Sequence, residues 1–150
     1  MFTTNAEDQR KAAELQRRLN DATIQNDKKS HGAFEVIPSV QIDEGANKYV
    51  LISAKAPNSD TSSLYVTSKK GASYHRNAAE PFVAKLEKNG YTAIEILGGG
   101  RIFCDEDEKK ISIFGYSYGF GRADHAKSKA VIDKEKRYEG FDVSWSNDGY

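Results

Sequence analysis

From about Phe34 onward, apolar and polar residues alternate in short runs broken by glycine and charge, a pattern of strands with helices inserted among them. Val36-Ile37-Pro38-Ser39-Val40-Gln41-Ile42 alternates, and Pro38 places it at a sheet edge or a strand start, because proline has no N–H for a ladder. Asp43 to Asn47 reads as a turn into the β-rich run Lys48 to Ala54, so the two runs are expected to pair antiparallel. Ser63-Leu64-Tyr65-Val66 is a shorter strand ahead of the Lys69-Lys70-Gly71 turn. Ala79, Phe82, Val83 and Leu86 then share one helical face, with Gly90 as its stop. Asn77 and Glu80 have capping-box spacing and Pro81 is tolerated in a first turn, which puts His75 just ahead of the helix.

Tyr91 to Leu97 predicts a strand that ends at Gly98-Gly99-Gly100. Arg101 to Cys104 and Lys110 to Phe114 flank the acidic run Asp105-Glu106-Asp107-Glu108 as a hairpin does. After the glycine- and tyrosine-rich loop Gly115 to Gly121, Ala123, Ala126, Ala130 and Val131 predict a second helix ending around Tyr138, and Phe141 to Trp145 a last strand. The expected fold class is α/β with an α+β-like layout: a mixed, largely antiparallel sheet of about six strands flanked by two helices.

Residues 1–33 differ from this pattern. They are rich in Gln, Asn, Asp, Arg and Lys, with Leu15, Leu19 and Ile24 as a sparse apolar stripe. The stripe is too thin to anchor a core, so the segment reads as a polar N-terminal extension, helical or disordered, leaving 34–150 as the domain.

Lys and Arg balance Asp and Glu at 22 each, so no global field holds a nucleic acid or an anionic membrane. No apolar run approaches the roughly 20 residues that span a bilayer. The single cysteine, Cys104, excludes an internal disulfide and multi-cysteine metal sites, which suits a reducing, cytoplasmic setting. A monomer is the default.

Several motifs suggest phosphate chemistry. Gly98-Gly99-Gly100-Arg101 sets backbone N–H groups beside a guanidinium, a combination suited to phosphoryl oxygens, although a tight strand exit has the same composition. Gly115 to Gly121 leads into a helix, where free N–H groups and the macrodipole attract anions. Neither loop has P-loop or dinucleotide spacing. Of the three histidines, His31 lies in the polar extension and His125 in or near the second helix, while His75 stands at a loop-to-helix junction and titrates in the range that base or nucleophilic work requires. No histidine or cysteine spacing suits a metal, and no cofactor is called for. Cys104 lacks the arginine of a cysteine phosphatase, and Asp105 to Lys109 lacks the residues of an aspartate-nucleophile phosphatase. Lys48, opening a β-rich strand, fits a phosphate pocket or a sheet rim.

In order, Ile37-Pro38-x-Val40-x-Ile42-Asp43, Lys48-Tyr49-Val50-Leu51-Ile52, Tyr74-His75, Leu97-Gly98-Gly99-Gly100-Arg101-Ile102, Lys109-Lys110-Ile111, Gly115-Tyr116-Ser117, Ala123-x-His125-Ala126 and Trp145-x-Asn147-Asp148-Gly149-Tyr150 resemble the eukaryotic protein histidine phosphatase family, related to janus and ocnus proteins. The resemblance spans about Val36 to Tyr150. It implies a metal-independent phosphatase acting on phosphohistidine-containing proteins, and leaves open whether phospholysine is a further substrate. It also implies that His75 is catalytic, as general base or nucleophile, that Lys48 binds the phosphate, that Arg101 supports the pocket, and that the Ser117, Tyr118 and Gly119 backbone cradles the anion. Tyr74 and His125 are candidate supporting residues. The family's loop carries Met-Ala where this chain has Tyr118-Gly119, and an upstream arginine of the family has no counterpart, with Lys69 or Lys70 as its substitute. A phosphate-recognising module without turnover is the competing class.

Overall fold

The computed structural model describes residues 5–26 and 36–148; His31, Phe34 and the terminal Gly149-Tyr150 of the motifs lie outside them. The elements are α1 (Asn5–Asn26), β1 (Val40–Gln41), β2 (Gly45–Lys55), β3 (Ser62–Ser68), α2 (His75–Lys88), β4 (Thr92–Asp105), β5 (Lys110–Phe114), α3 (His125–Asp133), a 3₁₀ turn (Lys136–Tyr138) and β6 (Asp142–Trp145). They build one mixed six-stranded sheet in the order β1-β3-β2-β4-β5-β6. Pairing is antiparallel through β3-β2-β4-β5 and parallel at both edges. The α/β class with a largely antiparallel sheet is therefore as expected.

Three local expectations are corrected. The first strand pairs in parallel with β3, not antiparallel with β2, and is only two residues long. The three glycines do not end a strand: β4 runs through them, with Gly98, Gly99 and Gly100 opposite Leu51, Val50 and Tyr49. A register shift at Leu51/Ile52, opposite exposed Leu97, is the irregularity that separates the two halves of β4. The helical cap also lies three residues earlier than its spacing suggested. Tyr74 is the N-cap of α2, its N–H donating to Asn77 Oδ1 at 3.1 Å, so Asn77 is the third helical residue and His75 the first.

Both faces of the sheet are covered. Val50, Ile52 and Ala54 of β2 face Phe82, Val83 and Leu86 of α2, while Tyr49 and Leu51 pack in the opposite cluster with Ile102, Ile111, Ile113 and Ile132. Period-two alternation on a strand produces this division directly.

The polar extension is no appendage over Asn5–Asn26. Leu19 is 1% exposed and belongs to the α2-side core, with Leu15 packed against it. A buried leucine contributes roughly 1.5–3 kcal/mol. Gln16 adds a two-way clamp on β4: its Nε2 donates to Ile94 O at 3.1 Å, and the Ile96 N–H donates to its Oε1 at 2.8 Å. A thin stripe suffices because this polar side chain satisfies sheet backbone that an apolar one leaves bare.

Candidate active site

The site forms where β2, β4, the start of α2 and the turn at residues 117–121 converge. Lys48 and Arg101 stand directly opposite in the β2–β4 ladder. Directly opposed side chains share a face, and like charges there repel, so the pair gains from any anion placed between them. Burial first, then the Arg101 charge, hold the Lys48 ammonium below its ordinary range, while the Asp8 carboxylate acts the other way.

His75 is 3% exposed beside them. Its Nε2 is 2.8 Å from Gly100 O. A carbonyl oxygen only accepts, so Nε2 carries the proton and the lone pair of the neutral ring sits on Nδ1. Burial pushes the imidazole pKa down to about 4, the Lys48 and Arg101 charges adding to the shift and the Gly100 hydrogen bond and Asp8 opposing it. The ring is neutral at neutral pH.

Glycine is required where the strand passes this ring. A methyl on Gly99 would lie 2.8 Å from His75 Cδ2 and 3.2 Å from Ser117 Cβ, and one on Gly100 would lie 2.7 Å from His125 Cε1. The glycine run thus serves close packing of side chains on both sheet faces. It is not an open amide nest, and the Gly99 N–H donates to Gly121 O at 3.0 Å.

The loop after β5 is folded into a tight turn. The Ser117 N–H donates to Gly121 O at 3.1 Å, the Gly121 N–H returns to Ser117 O at 2.8 Å, and the Phe120 N–H donates to Ser117 Oγ at 3.1 Å. The Ser117 amide and hydroxyl are therefore engaged within the turn, and the tip presents Tyr118 and Gly119. The start of α3 is closed as well, since Asp124 accepts from the Lys127 N–H at 3.2 Å. The helix that begins at the cup is α2.

His125 departs from its expected exposed or supporting place. It is 1% exposed, on the face opposite His75, with Nε2 donating to Gly115 O at 2.8 Å and Nδ1 at 2.6 Å from the Tyr49 hydroxyl. Ser128 Oγ lies 3.0 Å from that hydroxyl. Burial raises the Tyr49 pKa, which keeps the phenol a donor, and lowers that of His125. Both ring nitrogens are occupied.

Tyr74 contributes through its ring, over which the Arg76 guanidinium lies 4.5 Å from the centroid. Lys69 and Lys70 are exposed in the β3–α2 turn, and the Lys70 N–H donates to Asp43 Oδ2 at 2.7 Å. Arg76 and Asp8 were not singled out in the sequence. Arg76 Nη1 is 2.7 Å from Asp8 Oδ1, and the pair is nearly buried. The adjacency of Arg76 to His75 was the available signal; nothing local marked Asp8. The acidic run forms a turn whose Asp105 and Asp107 approach Glu44, three carboxylates with oxygens within 4.8 Å of one another, apart from His75 and partly exposed.

A scan against protein-family models matches residues 34–142 to the Janus/Ocnus family. The chain belongs to this family. Among similar proteins, the 14 kDa phosphohistidine phosphatase of Homo sapiens is 40% identical over 121 residues, 77% of this chain and 94% of that protein. The Sus scrofa protein of the same description is 39% identical over 120 residues, 76% and 93% of the two chains. The sex-regulated protein janus-A of Drosophila pseudoobscura pseudoobscura is 34% identical over 119 residues, 76% and 78%. The Janus/Ocnus match starts after α1, so the helix that carries Asp8 lies outside it.

Proposed function

We propose that this Janus/Ocnus chain is a metal-independent protein histidine phosphatase that hydrolyses phosphohistidine in other proteins, with phospholysine as a second phosphoramidate substrate. The observation that carries the reading is the fixed tautomer of His75: a buried neutral ring, held through Nε2–H to Gly100 O, that leaves the lone pair on Nδ1 and feels the charges of the opposed Lys48 and Arg101. The similarity to proteins described as phosphohistidine phosphatases supports the same substrate class.

Phosphoryl transfer needs little covalent assistance beyond positioning and charge stabilisation. Lys48 and Arg101 neutralise the equatorial oxygens, with the Tyr118–Gly119 tip closing the cup, so the charge that develops in the transition state meets fixed cations. Along a nucleophilic route, His75 Nδ1 attacks phosphorus, the P–N bond of the substrate breaks, and the leaving imidazole takes a proton from water. A second water then releases phosphate from His75. Along a general-base route, Nδ1 removes the proton of the water that attacks phosphorus directly.

The test is phosphate release from a phosphohistidine protein, run with chelator. Wild type is expected to turn over undiminished and His75→Ala to be inactive. Retained turnover in His75→Ala removes the ring from the chemistry, loss of wild-type turnover with chelator removes metal independence, and binding without release makes the chain a phosphate-recognising module. Label trapped on His75 under turnover selects the nucleophilic route.

A further inference from the structure

We propose that Asp8 is a built-in competitor for the substrate phosphoryl group, a carboxylate that α1 lays over the anion cup and that sets the affinity of the site. The inference rests on the reading of the cup as a phosphoryl site.

Helix α1 is anchored by Leu19 and Gln16, and its earlier turns cross the tip of the 117–121 turn. A methyl on Gly119 would stand 3.0 Å from Ala12 Cβ and 3.4 Å from both Asp8 O and Asp8 Oδ2. The helix therefore rests on the backbone of one of the two tip residues, and a small residue on each side permits the approach.

Asp8 is only 7% exposed. A carboxylate in such a place is costly unless paired, and its partner is Arg76, the residue after His75. Its negative charge also reaches Lys48 and His75, where it opposes the effects of the neighbouring cations. Asp8 thus supplies the cup with the counter-charge that the opposed Lys48 and Arg101 lack from each other.

A phosphoryl group uses the same partners as a carboxylate, cationic donors and backbone amides. Placed in the cup, it meets the like charge of Asp8 and must displace the carboxylate or bind more weakly beside it. Either way, removing that charge tightens phosphate binding. Arg76, freed from Asp8, adds a further cation to the cup.

The experiment uses the full chain, with inorganic phosphate titrated by calorimetry and kcat and KM measured on a phosphohistidine protein. Asp8→Asn, nearly isosteric, is expected to lower the phosphate Kd by about tenfold, and KM with it, while kcat stays within about twofold. Arg76→Gln breaks the same pair but leaves the charge in place, and is expected to raise both constants. The opposite signs are the discriminating result, and Asp8→Ser carries the same expectation as Asp8→Asn should the latter be unstable. If Asp8→Asn leaves phosphate binding unchanged, or if both variants weaken it alike, the pair is a structural staple and the proposal is overturned. Tighter phosphate in Asp8→Asn with no phosphohistidine turnover in any variant sinks the phosphatase reading and keeps the competitor. Turnover in wild type without the sign difference does the reverse.

Discussion

Two histidines begin two helices in this molecule, on opposite faces of the same glycine strand, and their chemistry differs by one hydrogen bond. His75 is the first residue of α2 and His125 the first of α3, and each directs Nε2 at a backbone carbonyl 2.8 Å away. Each is buried and held neutral. At His125 the Tyr49 hydroxyl closes Nδ1, whereas His75 feels the charges of Lys48 and Arg101. Burial and tautomer therefore do not distinguish the two rings. What differs is the second nitrogen, which at His125 meets a protein donor and at His75 is the atom that the proposed reaction uses.

The largest effect expected to test this contrast is loss of function on one side only. His75→Ala should lower kcat/KM for phosphohistidine by at least about a thousandfold, while His125→Ala keeps the turnover of its folded fraction. Comparable losses per folded molecule would erase the distinction. On stability the ranking reverses: His125→Ala removes a packed ring and leaves the Tyr49 hydroxyl only Ser128, and should lower the unfolding free energy by roughly 2–4 kcal/mol in denaturant titrations.

A smaller change sharpens the comparison. Tyr49→Phe leaves His125 Nδ1 without its donor at nearly constant volume, so a loss of about 1–2 kcal/mol is expected, with phosphate release intact. No measurable destabilisation would mean that the hydroxyl does not close the ring.

The pH dependence is the mildest probe near neutrality. With the His75 pKa near 4, the neutral ring persists from pH 7 to about 5, so the acid limb of kcat/KM assigned to His75 should fall near 4 and not near 6.5. An acid limb at 6.5 would contradict the buried, carbonyl-tethered ring. The stability sign follows from the same shift. A histidine whose pKa is depressed on folding contributes fully above its unfolded value of 6.5, and that contribution falls away as pH drops from 6.5 through about 4. Thermal midpoints across that window measure it.

Much of the sheet was legible because β2, the β4–β5 hairpin and β6 show their period in the residues themselves. The partner of β1 was not, since alternation says that a run is extended without naming the strand it joins. Asn77 suits both a cap and a third helical position, so spacing alone placed the start of α2 three residues late. The glycine run is visible but its purpose is not, because composition cannot tell an open amide nest from a strand squeezed between His75 and His125. In α1 the apolar stripe does not include Ala12, which packs by being small, or Gln16, which packs by hydrogen bonding.

The sequence by itself determined the strand-rich α/β class and the family resemblance, and offered His75, Lys48 and Arg101 as candidates, because periodicity and motif order can be read along the chain. Only the tertiary structure decided which nitrogen of His75 carries the proton, that His125 is closed by Tyr49, and that Asp8 reaches the cup. Those outcomes depend on contacts between segments tens of residues apart, and hydrogen bonding and burial act on such neighbours in space whatever their order along the chain.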